Sequence, residues 1–467
     1  MGFLNSNKKV KKILSTILSS RFAIIIIIGI ITGKTIDFAY WKNEKGVIGS
    51  DIIWFYSYLP AKFIYNDITL EFVGANRAMY YGKFFTGTKE RTGTYVIKTS
   101  MGMAMLYSPF FFIADTFAKN SSKYERTGFS SPYKLMLLIS CIFYLLLGLI
   151  ALRTFLRKYF DDWLVALTLI IIVLGTNLYH YTINEAPMTH AYSFSLISVF
   201  LLFTYKWHSK ASIFNSVITG LIIGLIALIR PTNIIVILVF VLWDVHSFIE
   251  IKNKFFLFFK NYKYIFIISL TAFLIWVPQF FYWKMQTGGY LFYSYNHERF
   301  YFYDPKILEV LFSYRKGWLV YTPVMILSFV GIPFMFKKMR NAAPGVTFII
   351  PIHIFIISSW WCWWYGGSFG MRPMIDIYGL LAIPIISFFN YIRGQKLIFK
   401  ILVLFFIAFC LHLNLLNTWQ YNTGIIHYDS MTKKTFWKTF FKNKKYSGFY
   451  NDLEKPDYEY RIKESAK

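Results

Sequence analysis

Apolar runs of about 15 to 20 residues recur along almost the whole chain, separated by short polar stretches. Because a helix needs about 20 apolar residues to cross a bilayer, such runs predict membrane-spanning helices. The runs predicted to span are 13–33, 132–152, 162–177, 191–206, 212–229, 232–249, 264–283, 317–336, 345–360, 373–390 and 397–416. The pattern therefore predicts an all-α integral membrane protein, a polytopic bundle of about eleven transmembrane helices.

One further apolar stretch, 101–118, is ambiguous, because Pro109 lies at its centre and Asp115 near its end. Lysine and arginine are retained on the cytoplasmic side of short loops, so their positions can decide the topology. If 101–118 does not cross, the basic loop clusters near 153–158, 206–210, 252–263, 337–340 and 393–400 all lie inside with the N-terminus. If it crosses, every one of those loop clusters moves outside.

We therefore expect one transmembrane domain over 1–416, whose first outer loop, about 34–131, carries juxtamembrane helices. The stretch 101–118 is predicted to be amphipathic or re-entrant on the outer face, and the choice between these two stays open. The basic, tyrosine-rich tail 417–467 is predicted to be extracytoplasmic, and its role is open.

Composition agrees with a membrane class, since 56% of the residues are hydrophobic and 21% are aromatic. The formal charge of +27 does not indicate nucleic-acid binding, because the basic residues lie between apolar runs, where they encode topology. The cysteines Cys141, Cys362 and Cys410 have no paired spacing, so neither a disulfide framework nor a zinc site is indicated. Abundant Lys, Asn, Ile and Phe are typical of AT-rich bacterial genomes, which predicts a bacterial cytoplasmic (inner) membrane location.

Ionisable residues that are costly near a membrane gather on the predicted outer face, and several together usually mark a site. Asp51 is the first of interest, because it opens an aromatic segment soon after the first span. The others are Glu44, Lys98, His180, Glu185, His190, Arg230, Asn233, His297, Glu298, Arg299, Arg315, Lys316, Arg372 and Asp376. Their shared side of the membrane carries more weight than any one of them.

Each candidate also has an ordinary structural interpretation. Asp51 could be a helix N-cap, and Lys98 and Arg372 could be interfacial anchors that reach towards water. His180 and His190 have no metal-ligand spacing and are typical of interfacial histidines, and the tryptophans in 360–364 are typical of an interfacial belt. A carboxylate facing several cations nevertheless suits transfer from a phosphate-activated donor, with a general base and cations that stabilise the leaving phosphate.

The layout resembles the GT-C superfamily of membrane glycosyltransferases, such as the protein O-mannosyltransferases and the lipid A aminoarabinose transferases, which use polyprenyl-phosphate sugars. Asp51 with Tyr56 and Tyr58 matches the acidic and aromatic start of the family's first outer loop. The other matching stretches are Lys98-Thr-Ser-Met-Gly102, Ser108-Pro-Phe-Phe111, Thr189-His-Ala-Tyr-Ser193, Arg230-Pro-Thr-Asn233 and Gly366-Gly-Ser-Phe-Gly-Met-Arg372. Many members carry a pair of acids, whereas here the acid nearest to Asp51 is Glu44, which leaves the choice of base open.

The resemblance implies an inverting transferase of the bacterial cell envelope that moves a sugar from a polyprenyl-phosphate donor to an acceptor on the extracytoplasmic face. Asp51 would be the base, and the donor phosphate would bind Lys98, Arg372, Arg315 and Lys316. The residues expected to shape the sugar or acceptor pocket are Glu44, Tyr56, Tyr58, His180, Glu185, His190, Arg230, Asn233 and Asp376.

One alternative is a transporter or flippase of a lipid-linked saccharide, although such proteins usually show internal repeats and polar mid-membrane helices. An inactive scaffold is a further alternative that the sequence leaves open. No cofactor is predicted, and the need for a divalent metal is left open. Membrane lipids are expected partners; the donor sugar, the acceptor (lipid, glycan or protein) and the oligomeric state also stay open.

Overall fold

The computed structural model describes residues 19–43, 46–75, 93, 95–295 and 297–459. Within these ranges the regular structure is helical, with an isolated antiparallel bridge between Phe300 and Trp360. The α-helices are α1 (Ser20–Phe38), α2 (Asp51–Tyr56), α3 (Tyr58–Phe63), α4 (Glu71–Ala75), α5 (Gly102–Lys119), α6 (Ser131–Leu156), α7 (Asp162–Leu174), α8 (His180–Ile183), α9 (Thr189–Ser209), α10 (Ile213–Ile229), α11 (Ile237–Val241), α12 (Phe248–Lys260), α13 (Tyr262–Thr287), α14 (Ile307–Phe312), α15 (Trp318–Tyr321), α16 (Ile326–Lys338), α17 (Ala343–Ser358), α18 (Tyr378–Ile392), α19 (Leu397–Asn422) and α20 (Lys433–Thr439). Short 3₁₀ turns cover Tyr40–Lys42, Pro231–Val236, Pro323–Met325, Arg372–Ile377 and Phe449–Asp452.

Among the described residues, five helical segments are long and apolar enough to cross a membrane. They are Ser20–Lys42, Ser131–Leu156, Tyr262–Thr287, Arg372–Ile392 and Leu397–Asn422. Shorter apolar helices cover Asp162–Leu174, Ile213–Ile229, Pro231–Val241 and Ala343–Ser358. This architecture is that of a helical, membrane-associated protein. The predicted number of eleven spans remains a prediction.

The long apolar helices differ in how deeply they are buried. In Arg372–Ile392, 83% of the apolar window lies inside the protein, so α18 is a central helix of the bundle. The corresponding fractions are 11% for Tyr262–Thr287 and 22% for Leu397–Asn422, so α13 and α19 lie at the periphery. Their exposed side chains, such as Phe273 and Phe405, are apolar, as expected of a surface that faces lipid.

Helices α10 and α13 pack closely because glycine lies between them. A Cβ atom at Gly220 would lie 2.0 Å from Thr271 Oγ1 and 2.3 Å from the carbonyl oxygen of Ile268. Small residues let two membrane helices approach in this way. The contact holds α10, and the turn that follows at Arg230, against α13.

The stretch that was ambiguous in sequence forms the single helix α5. Near its end, Tyr133 at the beginning of α6 donates a hydrogen bond to Asp115 Oδ1 at 2.6 Å. Near its start, Tyr144 further along α6 donates to the carbonyl of Leu106 at 3.1 Å. Helix α5 therefore runs antiparallel to the first half of α6, and it is not among the helices long and apolar enough to cross a membrane.

The predicted span 232–249 is divided in the structure. After α11 the chain turns at Asp244, whose φ is 59° and whose N–H donates to the carbonyl of Asn341 at 2.9 Å. Ser247 then caps a new helix, α12, because its hydroxyl oxygen accepts the N–H of Glu250 at 3.3 Å. The last part of this apolar run is therefore a turn and the start of an amphipathic helix.

A basic cluster marks the far end of α6 and the helix ends that meet it. Arg153 donates to the hydroxyl of Ser20 at 2.6 Å and lies 4.0 Å from Asp162, while Arg393 pairs with Asp161. Because α6 has 26 residues at roughly 1.5 Å each, this cluster lies roughly 39 Å from the beginning of the helix, where α5 packs. The bundle therefore has two distinct ends, which we call the basic end and the α5 end.

Candidate functional site

A cavity of about 520 Å³ lies at the α5 end, where α2, the segment 98–100, the α10–α11 turn, α13 and the loop before α18 meet. Six of the ionisable residues that the sequence singled out line it, namely Asp51, Lys98, His190, Arg230, Glu298 and Arg372. Much of the remaining wall is aromatic, including Trp54, Trp276, Trp283, Tyr295, Trp360 and Trp361. The cavity thus combines charged groups with broad apolar surfaces.

An ion pair between Asp51 and Arg372 forms one side of the cavity. Arg372 Nη2 lies 3.1 Å from Asp51 Oδ2, and the Asp51 side chain is 49% exposed. Asp51 is the first residue of α2, and Ser50 occupies the N-cap position. The carboxylate of Asp51 is therefore bound by a guanidinium rather than acting as the N-cap of its helix.

A second ion pair lies in the same wall. Lys98 Nζ is 2.6 Å from Glu298 Oε1 and 5.1 Å from the centre of the Tyr295 ring. The segment that carries Lys98 is held by Tyr58, which donates to the carbonyl of Thr99 at 2.6 Å. Tyr58 itself is buried and does not line the cavity, so it positions the segment that carries Lys98.

The buried carboxylate of Asp376 lies behind Arg230, another cation that lines the cavity. Asp376 is fully buried, and it accepts hydrogen bonds from Arg230 Nη1 at 3.0 Å and from Asn233 Nδ2 at 2.9 Å. The Nδ1 atom of His190 lies 3.1 Å from the other carboxylate oxygen. Arg230 and His190 line the cavity, whereas Asp376 and Asn233 lie behind it. This arrangement fixes Arg230 and His190 in the wall, because the carboxylate is satisfied only when they are in place.

Other predicted pocket residues lie away from the cavity. Tyr56 is buried and donates to the carbonyl of Gly128 at 2.6 Å. His180 Nε2 lies 3.7 Å from Glu185 Oε1, and neither residue lines the cavity. Burial opposes ionisation of Glu185, but the neighbouring His180 lowers the pKa of that carboxyl below its usual value. Glu44 lies outside the described residues.

Arg315 and Lys316, predicted to bind phosphate, instead bind the C-terminal segment. Arg315 Nη1 donates to the carbonyls of Asp429 at 2.5 Å and Glu454 at 2.9 Å. Lys316 is buried, and its ammonium group donates to the carbonyls of Ser368 and Tyr428. Burial, reinforced by the nearby Arg372, lowers the pKa of Lys316 to about 7. Neither side chain lines the cavity.

The C-terminal segment contributes to the cavity in a way that the sequence did not reveal. Tyr458 lines the cavity, its ring centre lies 5.3 Å from that of Trp364, and its hydroxyl donates to Asp429 Oδ2 at 3.0 Å. Glu298 is likewise a cavity residue, which the sequence grouped with the other candidates without assigning it a role. The signal for Tyr458 was limited to the richness of the tail in tyrosine.

The described part of the wall combines carboxylates, fixed cations and aromatic rings. A carboxylate can accept a proton, and cations can bind a phosphate or stabilise charge on a leaving group. Aromatic walls can hold an apolar chain or the face of a sugar ring. In the described ranges no group of three or more His, Cys, Asp and Glu residues is arranged to hold a metal ion.

Comparisons with known proteins add no family to this description. No protein-family model matches the chain, and no curated protein matches it at a significant level. The fold and the cavity therefore define a class, a helical membrane-associated protein with a charged and aromatic cavity at one end. Its activity therefore has to be inferred from the chemistry of the site.

Proposed function

We propose that the protein is a membrane glycosyltransferase that moves a sugar from a polyprenyl-phosphate-linked donor to an acceptor hydroxyl. The observation that carries this proposal is the cavity itself, in which Asp51 lies 3.1 Å from Arg372 while Lys98 and Arg230 line the same space. A candidate base and candidate phosphate-binding cations thus share one cavity. This is the combination that transfer from a phosphate-activated donor requires.

The reaction needs no further reactant. The acceptor oxygen attacks the anomeric carbon of the donor from the side opposite the phosphate, which inverts the configuration. Asp51 takes the proton of the acceptor hydroxyl as the new C–O bond forms. The bond from the anomeric carbon to the phosphate oxygen breaks with its electron pair on that oxygen, and Arg372 and Lys98 stabilise the departing polyprenyl phosphate. Arg230 and His190, held by Asp376, shape the sugar-binding part of the cavity.

A lipid-linked donor is favoured by the position of the cavity relative to α13. Trp276 and Trp283 of α13 line the cavity, while most of that helix faces outward with apolar side chains such as Phe273. An apolar chain can therefore lie against α13 while its phosphate reaches the cations. The donor phosphate sites are accordingly narrowed to Lys98 and Arg372, since Arg315 and Lys316 bind backbone carbonyls elsewhere.

The proposal includes the topology expected from the sequence, with eleven spans and the cavity on the extracytoplasmic face of a bacterial cytoplasmic membrane. The basic cluster at Arg153 and Arg393 supports this orientation, because basic residues are retained on the cytoplasmic side and the cavity lies at the other end. The packing of α5 along the first half of α6 supports an element that stays on the cavity side.

The test is the substitution Asp51→Asn, measured in purified protein with a radiolabelled polyprenyl-phosphate sugar and a membrane extract as the acceptor source. We expect transfer to fall by at least 10²-fold, in line with loss of a general base. Asp37→Asn is the matched control, because Asp37 is exposed and pairs with Lys34 outside the cavity. Transfer near the wild-type rate in Asp51→Asn would overturn the assignment of the base.

The same assay separates a transferase from a flippase of lipid-linked saccharides. A transferase consumes the donor and releases polyprenyl phosphate, whereas a flippase moves intact donor between leaflets. Movement of donor across vesicles without any loss of sugar would overturn the proposed function.

A further inference from the structure

Helix α12 presents an aromatic face that the rest of the described chain does not cover. Phe248, Phe255 and Phe259 are 91%, 70% and 80% exposed. Their spacing of seven and four residues places them on one side of the helix. Phe256, 61% exposed, extends this face by part of a turn. Contiguous exposed aromatics of this kind indicate an interaction surface.

A neighbouring side of α12 is fixed to the protein, so the exposed face has a defined orientation. Lys254 is buried and its ammonium group lies over the ring of Phe258 at 5.9 Å. The Phe258 ring stacks on Phe240 of α11 with centres 5.7 Å apart, and it also lies near Trp207 at the end of α9. Helix α12 therefore lies across the ends of α9 and α11 and presents its phenylalanines outward.

This helix lies at the basic end of the bundle, away from the cavity. Trp243, which follows α11, packs against Phe155 near the end of α6, two residues after Arg153. The turn before α12 is also joined to that end through the backbone contact of Asp244 with Asn341. Whatever binds α12 is therefore separate from the candidate active site.

The charges around the aromatic face are positive. Lys260 and Lys263 are exposed beside it. Lys252 is exposed within it, with its ammonium group 5.9 Å from the centre of the Phe256 ring. The acid of the helix, Glu250, is used locally, because its carboxylate accepts the N–H of His246 at the beginning of the helix. An aromatic face bordered by exposed lysines is complementary to a surface that is apolar inside and anionic at its rim.

The exposed face also continues a surface that faces lipid. Helix α13 begins directly after α12, and its exposed side chains include Phe266, Leu270 and Phe273. Because Tyr262–Thr287 is one of the segments able to cross a membrane, these side chains mark the lipid-facing belt. The phenylalanines of α12 extend this belt at the point where α13 reaches the membrane surface.

We propose that α12 is a membrane-surface helix that binds the headgroups of anionic phospholipids. Its phenylalanines enter the boundary between acyl chains and headgroups, and Lys252, Lys260 and Lys263 contact the lipid phosphates. Amphipathic helices with aromatic apolar faces and basic flanks bind membranes in this way, and anionic lipids strengthen the binding. The proposal concerns the basic end and does not depend on the proposed glycosyl transfer.

The first test is the thermal stability of the full-length protein in phosphatidylcholine bilayer discs with phosphatidylglycerol added stepwise. We expect phosphatidylglycerol to raise the melting temperature of the wild type. Each lysine at an anionic surface contributes a factor of roughly 5 in lipid affinity, so the double variant Lys252→Gln/Lys260→Gln should need roughly 25-fold more phosphatidylglycerol for the same rise. The matched control is Lys119→Gln/Lys123→Gln, which removes two exposed lysines at the α5 end.

A wild type insensitive to phosphatidylglycerol, or an equal effect of the two double variants, would overturn the headgroup contact.

The second test places a nitroxide label on cysteines introduced at Phe259→Cys and Asn253→Cys. The native cysteines Cys141, Cys362 and Cys410 are buried and should not be labelled. We expect the label at 259 to be relaxed by oxygen, as in lipid, and the label at 253 by a water-soluble nickel reagent. Equal exposure of both labels to the nickel reagent, or spin coupling between two copies of the chain, would overturn the proposal.

Discussion

At the scale of single residues, the contact between Arg372 and Asp51 joins groups 321 positions apart in the chain. Their grouping at one end was predictable, because the basic loops predict which helix ends share a side of the membrane. Both residues follow a predicted span that ends on the side opposite the basic loops. The same reasoning brought in Lys98 and Arg230. It could not assign partners, since Glu298 binds Lys98 through a contact that no local pattern encodes.

Arg315 and Lys316 show the limit of that reasoning. They lie before a span and are cationic, which is what a phosphate site requires. Their donors are nevertheless taken by backbone carbonyls at Asp429, Glu454, Ser368 and Tyr428. A sequence shows which residues are cationic, but their hydrogen-bond partners can be assigned only once the fold is known.

Replacing Arg372 by lysine should reduce activity even though the charge is kept. A guanidinium offers several donors in a planar fork, so it can bind first the Asp51 carboxylate and then a phosphate through two parallel hydrogen bonds, whereas an ammonium group is a point charge. We expect kcat/KM for the donor to fall roughly 10- to 100-fold, as for loss of a charged hydrogen bond. Arg126→Lys is the control, because Arg126 binds Asp115 outside the cavity. Equal activities for the two variants would remove Arg372 from the donor site.

The buried Lys316 should make stability depend on pH. Its pKa is about 7 in the fold and 10.5 in its usual state, so between these values the unfolded chain binds a proton that the folded chain lacks. Stability therefore rises as the pH increases through this window. The melting temperature of the wild type should rise more from pH 7 to pH 10 than that of Lys316→Met. Parallel curves for the two proteins would contradict this account.

At the scale of elements, the apolar runs predicted helix positions well where a helix is long and uninterrupted, as in α6, α13 and α19. The run 232–249 failed as one helix because the contact of Asp244 with Asn341 and the cap at Ser247 redirect the chain. Apolarity averaged over a window does not register such a turn. The amphipathic helix α12 was consequently hidden within a predicted basic loop.

The packing of α16 against α18 gives an element-scale prediction. A Cβ atom at Gly331 would lie 2.0 Å from the carbonyl oxygen of Pro384, so Gly331→Ala forces the two helices apart. We expect a loss of stability on the order of 1–3 kcal/mol, typical of overpacking. Gly29→Ala in α1 is the control, since a Cβ there meets nothing within 4 Å. The stability of both variants is measured by their unfolding in mild detergent with increasing denaturant. If Gly331→Ala were as stable as Gly29→Ala, the contact between α16 and α18 would not be tight.

At the scale of the whole molecule, the C-terminal segment is part of the candidate site rather than a separate extension. Arg315 and Lys316 attach it to the bundle, and Tyr458 reaches the cavity wall. The sequence predicted a basic tail on the same side as the site. It could not predict this closure, because the segment is joined to the bundle by contacts between distant parts of the chain.

Truncating Tyr458 should therefore affect substrate binding. Tyr458→Ala removes an aromatic wall next to Trp361 and Trp364, and loss of such aromatic contacts costs up to about tenfold in affinity. We expect the KM for one substrate to rise by about that factor while the melting temperature changes little. Tyr450→Ala, in the same segment but 66% exposed, should behave as the wild type. Unchanged KM values in Tyr458→Ala would exclude the segment from the site.

Under the proposed function, the paired charges of the cavity wall have a consequence for the order in which the substrates bind. Arg372, Lys98 and Arg230 are already matched by Asp51, Glu298 and Asp376 in the described part of the wall. An arriving phosphate must take over a guanidinium that a carboxylate holds, and this exchange releases Asp51 just when the donor is in place. Under the proposed function, steady-state kinetics should then show a compulsory sequence in which the donor binds before the acceptor. Before a donor binds, an acceptor hydroxyl would meet an Asp51 carboxylate that Arg372 still holds.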